Sequence, residues 1–112
     1  GMHGNQYQMQ RIWDILYANR VDVVVSGHDH LYERFAPQNP VGVADPVRGI
    51  RQFTVGTGGA EFYDVSVRQP NSEVLINTDH GVLALSLDAG QYGWAFVNVR
   101  HEIMDSGSDA CH

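Results

Sequence analysis

Two histidines two positions apart, His28 and His30, are the residues of this sequence best suited to metal chemistry. On an extended backbone, side chains two apart project to the same side, so both imidazoles can reach one small volume. If Gly27 makes a tight turn, each imidazole can instead address one of two neighbouring metal ions. Neutral imidazole binds Zn, Fe, Mn and Ni, so the pair alone does not select the metal. An exposed His-Asp-His turn without a ligand is the alternative interpretation.

The elements expected to position this pair are a helix and a buried strand. Apolar side chains recur at steps of three and four over residues 5–19, which predicts a helix with one buried stripe and Asn5 as its N-cap. Residues 21–26 include three consecutive valines, which predicts a strand buried on both faces. We expect the helix to pack directly on the sheet that receives this strand. Residues 27–30 follow at its carboxyl end, where open α/β sheets place ligand sites.

The rest of the chain predicts further strands and long irregular segments. Strands are expected over 50–57, 81–87 and 92–99, and residues 88–91 form a hairpin turn between the last two. Residues 37–49 and 58–80 show little periodicity and are expected to be loops. The small polar residues of 105–112 predict a flexible tail. The fold class is therefore α/β, with one N-terminal helix followed mostly by β-strands.

Composition bounds the partners of the chain. A formal net charge of -6 disfavours nucleic acid, because affinity for a phosphate backbone comes largely from Lys and Arg. No window approaches the ~18 consecutive apolar residues of a membrane helix, so no membrane partner is expected. The only cysteine, Cys111, excludes an internal disulfide, although it could pair with a cysteine of a longer parent protein. At 112 residues the chain is long enough for one unit and too short for two cores.

Other polar residues have weaker claims to function. In extended structure Tyr32 and Arg34 share a face opposite Glu33, which predicts a structural tyrosine with a local ion pair. The pair Gly58-Gly59 could form an anion-binding backbone nest, but a sharp turn explains it as well. The remaining histidines have no partner at ligand spacing and are interpreted as surface or core residues: His80, His101 and His112.

The run Val23–Pro37, VVVSGHDHLYERFAP, resembles the last metal-binding motif of calcineurin-like metallophosphoesterases, and most closely that of purple acid phosphatases and their bacterial relatives. In that family a hydrophobic strand ends in Gly-His-x-His, and the two histidines ligate the two ions of a binuclear centre. By resemblance, His28 and His30 are metal ligands. The match extends to 56–60, similar to the glycine-rich turn after the next strand, and to the ending 105–112.

The resemblance implies a fold, a reaction and a cofactor. Residues 1–112 would be a single partial domain, the C-terminal portion of a metallophosphoesterase-type α/β/β/α sandwich. The intact protein would hydrolyse phosphate esters with Fe, Zn or Mn in a binuclear site, and a secreted or periplasmic parent is implied. His3 is similar in position to the histidine that contacts the substrate phosphate or acts as general acid in purple acid phosphatases.

Only the last of the family's metal-binding blocks is present in this sequence. The bridging carboxylate, the Asn ligand and a further His ligand have no counterpart, so we expect the chain to be inactive alone. Unpaired strand edges would then favour self-association. The alternatives are a non-catalytic fragment that binds at most one metal ion weakly, and a β-rich interaction module with a coincidental His-x-His.

Overall fold

The structure, a computed structural model, describes residues 6–112. The predicted N-cap Asn5 and the predicted substrate-contacting His3 lie outside the described residues. A short 3-10 turn, Tyr7–Met9, leads into the helix α1, Gln10–Ala18. The strands that follow are β1 Val23–Ser26, β2 Tyr32–Phe35, β3 Arg51–Val55, β4 Ser72–Ile76, β5 Gly81–Leu87, β6 Gln91–Asn98 and β7 Ile103–Ala110.

The described strands form two sheets. The first has the order β1-β3-β2-β4, in which β1 pairs parallel to β3 and the other pairs are antiparallel. The second is an antiparallel meander, β5-β6-β7. The predicted class is confirmed: one helix precedes mostly strands. The predicted hairpin is confirmed too, since Asp88 donates its backbone N–H to the carbonyl of Gln91 across the turn.

Strand β1 lies at the edge of its sheet, and the prediction that it is buried on both faces is wrong. Val23 and Val24 are half-buried, whereas Val25 is 49% exposed and Ser26 is exposed. The β-branched valines favour a strand, but β1 has only one neighbour among the described strands, β3, and its side chains are only partly covered. The local pattern therefore specified the strand without specifying its place in the sheet.

The two sheets pack face to face through aromatic side chains. Tyr32 of β2 stacks on Phe96 of β6, with ring centroids 4.2 Å apart and planes 8° apart. Such a pair contributes roughly 0.5–1.5 kcal/mol beyond the area it buries. Phe53 of β3 contacts Trp94 of β6 at 5.6 Å in a tilted arrangement. The buried core cluster is Tyr32, Phe53, Tyr92, Trp94 and Phe96.

The polar residues of β7 complete this interface instead of forming a flexible tail. Asp105 accepts hydrogen bonds from the Tyr32 hydroxyl at 2.6 Å and from Arg34 Nε at 2.7 Å. Asp109 accepts one from Arg51 Nη2 at 3.2 Å. The prediction of a flexible 105–112 segment therefore does not hold for the strand residues 105–110. Two of these residues, Asp105 and Asp109, pair with Arg34 and Arg51 of the facing sheet.

Helix α1 is attached to the domain by polar contacts. None of its residues is buried, and Ile15 is 62% exposed. Gln10 Nε2 donates to the carbonyl of Pro40 at 3.1 Å, and the Tyr17 hydroxyl donates to Asp45 Oδ2 at 2.7 Å. A cavity of about 610 Å³ lies between the helix and the first sheet. The prediction that the helix packs directly on the sheet is therefore wrong where this cavity separates the two. No helix in the described part of the chain is long and apolar enough to cross a membrane.

Candidate metal-binding turn

The two motif histidines lie in a turn between β1 and β2. His28 has a φ of 77°, a left-handed conformation that is uncommon for a residue with a side chain. The backbone N–H of Leu31 donates to the carbonyl of Asp29 at 2.8 Å, which closes the turn. The extended segment that would align both imidazoles on one face is therefore not formed. The structure has a turn here, but its left-handed residue is His28 and not Gly27, which was expected to make the turn.

The glycine-rich segment 56–60 lies directly against this turn. A Cβ atom on Gly56 would come within 1.9 Å of the carbonyl oxygen of Asp29, so any side chain there is excluded. The backbone N–H of Gly56 donates to the carbonyl of Leu31 at 2.9 Å. Strand β3 therefore ends where its backbone supports the histidine turn. Two segments that were singled out independently in the sequence meet at one place.

The imidazole of His30 is held by residues that the sequence did not single out. Its Nδ1 lies 2.8 Å from the carbonyl oxygen of Glu61. Its ring stacks on Tyr63, with centroids 4.2 Å apart. The backbone N–H of Tyr63 donates to the carbonyl of His30 at 3.2 Å, and Asn77 Nδ2 donates to the carbonyl of Tyr63 at 3.0 Å. These partners belong to the predicted loop 58–80, where no periodicity or motif pointed to them.

The described residues can be compared with the donors that a metal centre requires. Imidazole nitrogen is a suitable donor for Zn, Fe and Mn, so His28 and His30 fit the donor chemistry of such a centre. Within residues 6–112, however, no group of three or more His, Cys, Asp or Glu side chains is placed to hold a metal ion. The donor type therefore fits such a centre, whereas the described residues do not assemble a complete ligand set.

Tyr32, Glu33 and Arg34 alternate between the two faces of β2, as predicted. Tyr32 and Arg34 both contact Asp105 in the sheet interface, and Arg34 also pairs with Glu73. Glu33 points to the opposite face, where it lines the cavity beneath the helix. It is 2% exposed, and its Oε1 has no hydrogen-bond partner within residues 6–112. The ion pairs of Arg34 are formed with Glu73 and Asp105, which are distant in sequence, so the predicted ion pair is not local.

The other described histidines do not join His28 and His30 in a group of metal-ligating side chains. His80 is half-buried and stacks on Phe62 at 4.3 Å. His101 is exposed and has a φ of 62° in the β6–β7 turn. The backbone N–H of His112 donates to Asp22 Oδ1 at 2.8 Å, and burial and the charge of Asp22 raise the pKa of the adjacent Cys111 thiol.

The sequence was compared with family models and with curated proteins. No family model matches the sequence. The chain is 29% identical over 86 residues to "probable inactive purple acid phosphatase 1" of Arabidopsis thaliana, a match that covers 70% of this chain and 14% of that protein. The chain thus spans about a seventh of that curated relative.

Two solved structures share the fold. GAP50, described as the anchor in the inner membrane complex of Plasmodium, superposes with a TM-score of 0.80 at 18% identity, covering 100% of this chain and 32% of that one. Purple acid phosphatase PPD1 from yellow lupin seeds superposes with a TM-score of 0.77 at 21% identity, covering 94% and 20%.

These relatives come from plants and Plasmodium, so the bacterial affinity expected from the motif stays a prediction. The weak sequence match and the two fold matches agree with the family that the Gly-His-x-His run predicted. By sequence and fold, the chain is consistent with the C-terminal part of a purple acid phosphatase-like metallophosphoesterase.

Proposed function

We propose that this chain supplies the last metal-binding segment of a metal-dependent phosphoric ester hydrolase and has no turnover by itself. The observation that carries the proposal is the turn at the carboxyl end of β1, where His28 and His30 meet the glycine-rich segment 56–60. The weak sequence match to a protein described as a probable inactive purple acid phosphatase supports the phosphatase family as the reaction class. The substrate of the intact protein would be a phosphate ester, and residues 1–112 would be one partial domain.

In this proposal His28 and His30 donate imidazole nitrogens to Fe, Zn or Mn ions. Bound metal ions would supply Lewis acidity toward the phosphoryl oxygens. The chain's own residues would bind and orient: the turn presents the two rings, and β3 supports the turn from behind. His3 would contact the substrate phosphate or deliver a proton to the leaving group.

Inactivity of the isolated chain follows from the number of ligands. Two-metal hydrolysis requires both ions held about 3.5–4 Å apart. A pair of imidazoles cannot satisfy two coordination spheres, and no third candidate ligand joins them within residues 6–112. The missing donors would have to come from other polypeptide, either the rest of a longer protein or a second chain.

A non-catalytic role is the second candidate function. It is favoured by the description of the Arabidopsis relative as probably inactive and by that of GAP50 as an anchor. Such a role would use surfaces instead of metal. Edge strands β1 and β5 expose the apolar side chains of Val25, Val82 and Leu87, which would support self-association. Sedimentation over a wide concentration range tests this part, and a monomer throughout would exclude it.

The test of the proposed function combines calorimetry with an activity assay. Zn, Mn and Fe are titrated into the chain and into a His28→Ala/His30→Ala variant, and each is assayed on an aryl phosphate. Weak binding that is lost in the variant, with no turnover in either protein, is the expected result. His101→Ala is the matched control, because His101 is also exposed and also has a positive φ. Metal-dependent turnover by the chain alone would contradict the proposal that it supplies only part of the site. Equal metal binding by the variant would exclude His28 and His30 as the ligands.

A further inference from the structure

The ring of His30 is held by a loop that contributes no side chain to the proposed metal site. This loop, here called the 61–63 loop, consists of Glu61, Phe62 and Tyr63. Its contacts with His30 are the Glu61 carbonyl at Nδ1, the stacked ring of Tyr63 and the Tyr63 backbone N–H. The first two contacts are made to the imidazole itself and restrict its orientation, and the third holds the backbone of His30 beside the loop.

The first contact decides which ring nitrogen carries the proton. A backbone carbonyl can only accept a hydrogen bond, so at 2.8 Å the Nδ1 of His30 must be the donor. In the neutral imidazole the proton is then on Nδ1, and the lone pair available to a metal ion is on Nε2. A histidine ligand that donates its other N–H to a backbone carbonyl has the arrangement by which proteins orient metal-bound imidazoles.

The second contact, the stacked ring of Tyr63, acts together with the first to fix the orientation of the imidazole. A flip of the imidazole about its Cβ–Cγ bond would place a carbon opposite the Glu61 carbonyl and lose the hydrogen bond. Stacking on Tyr63 at a centroid distance of 4.2 Å holds the ring plane while that hydrogen bond holds its edge. Together the two contacts fix both the plane and the direction of the ring.

The loop is itself anchored to the sheet. Asn77, the residue after β4, donates from Nδ2 to the carbonyl of Tyr63 at 3.0 Å. The position of Tyr63, and through it that of His30, is thus tied to the end of a strand that pairs with β2. Strand β2 begins two residues after His30. His30 is therefore attached to β2, and Asn77 is attached to β4, the strand that pairs with β2.

We propose that Tyr63 and Asn77 are positioning residues that hold His30 as the Nδ1–H tautomer with Nε2 as its metal-binding atom. This rests on the proposed function for the metal role of His30, whereas the tautomer and the ring orientation can be observed without any metal. Loss of an outer contact of this kind lowers metal affinity by about 10–100-fold in known sites. We expect the same range for Tyr63→Leu and Asn77→Ala.

The experiment measures the tautomer first and the affinity second. In ¹⁵N-labelled, metal-free protein, at a pH where the imidazole is neutral, long-range ¹H–¹⁵N spectra assign the protonated nitrogen of His30. A single Nδ1–H tautomer is expected in the wild type. A mixture of tautomers or a single Nε2–H tautomer would overturn the proposal. Because this measurement uses the wild-type protein, it does not depend on whether any variant folds.

The variants then test the loop. Tyr63→Leu and Asn77→Ala should give a mixture of tautomers and weaker zinc binding, whereas Tyr63→Phe, which keeps the stacked ring, should retain the wild-type tautomer and affinity. An unchanged tautomer in both disruptive variants would overturn the role of the loop. A single Nδ1–H tautomer without zinc binding would support the positioning role and overturn the proposed metal function, so the two failures are distinguishable.

Discussion

The indole of Trp94 covers the backbone of Gly107, its direct partner across the β6–β7 pair. A Cβ atom on Gly107 would lie 2.4 Å from Trp94 Cζ2. An aromatic side chain that lies over a cross-strand glycine compensates for the side chain that the glycine lacks. The strand β7 therefore depends on a residue with no side chain at this position.

Gly107→Ala should destabilise the fold, because the added methyl group displaces the ring of a buried tryptophan. Overpacking of this kind costs about 1–3 kcal/mol in the free energy of unfolding. Urea unfolding followed by tryptophan fluorescence measures it. Gly90→Ala is the control, because a Cβ there would meet no described atom within 4 Å. Equal stability of the two variants would contradict the account of β7.

Tyr32→Phe removes the hydroxyl that donates to Asp105 at 2.6 Å while keeping the ring stacked on Phe96. A hydrogen bond to a charged acceptor contributes about 1.5–3 kcal/mol, so the free energy of unfolding should fall by an amount in that range. Chemical denaturation of the variant at neutral pH is the measurement. Tyr17→Phe, whose hydroxyl donates to Asp45 near the helix, serves for comparison and should cost less because it lies outside the core. An undiminished stability of Tyr32→Phe would show that the bond contributes nothing net.

Asp105 should make the stability of the fold depend on acid pH. Burial acts to raise its pKa, but the hydrogen bonds from Arg34 and Tyr32 outweigh it, so the pKa is lowered from its usual value. A carboxyl with a lowered folded-state pKa contributes stability that is present above its unfolded pKa of about 3.9 and is lost as the pH falls through the folded value. The free energy of unfolding should therefore fall as the pH drops below about 4.

The contribution of Asp105 is separated by substitution. Other carboxyls with lowered pKa values, Asp45 and Asp79 among them, add to the same trend. In Asp105→Asn the fall in stability with acid should be shallower than in the wild type, because one linked proton is removed. Parallel pH profiles for the two proteins would show that Asp105 has the same pKa folded and unfolded.

Glu33→Gln should stabilise the chain. Glu33 is 2% exposed and its Oε1 has no hydrogen-bond partner among the described residues, so folding removes a carboxylate from water with incomplete compensation. Replacing it with the neutral amide should raise the free energy of unfolding by about 1 kcal/mol, within the penalty of roughly 1–3 kcal/mol for an unsatisfied buried group. Thermal and urea unfolding measure this. A lower stability would mean that the carboxylate has a partner that the amide cannot replace.

Gly56→Ala should weaken metal binding by the histidine turn. The new methyl group would occupy the space of the Asp29 carbonyl, so either β3 or the turn must move. We expect at least a tenfold loss of zinc affinity by calorimetry, together with lower stability. Gly58→Ala is the matched control, since a Cβ there meets no described atom within 4 Å. An unchanged zinc affinity of Gly56→Ala would show that the glycine-rich segment does not support metal binding by the histidine turn.

Sequence reasoning succeeded where the signal is local. The hairpin β5–β6 and the helix follow from periodicity and turn residues within a few positions, whereas the metal-binding role of the histidine pair stays a prediction. It failed where the cause lies elsewhere in the chain. The carboxylates Asp105 and Asp109 of β7 pair with Arg34 and Arg51 of the other sheet, which are distant in sequence. The carbonyl that contacts the His30 ring likewise belongs to Glu61, more than thirty positions away. Burial of β1 was overestimated because its pattern does not say which strands lie beside it.

The attachment of α1 has a consequence for how the molecule opens. The helix is fastened by hydrogen bonds to the 37–49 segment across a cavity, whereas the aromatic cluster between the sheets closes without it. Local unfolding free energy follows the number of buried apolar contacts, so the helix belongs to the low end of that range. Its amides should exchange with solvent through openings that leave the aromatic core intact. The histidine turn, joined to β3 and β4, shares the protection of the sheets and stays formed while the helix detaches.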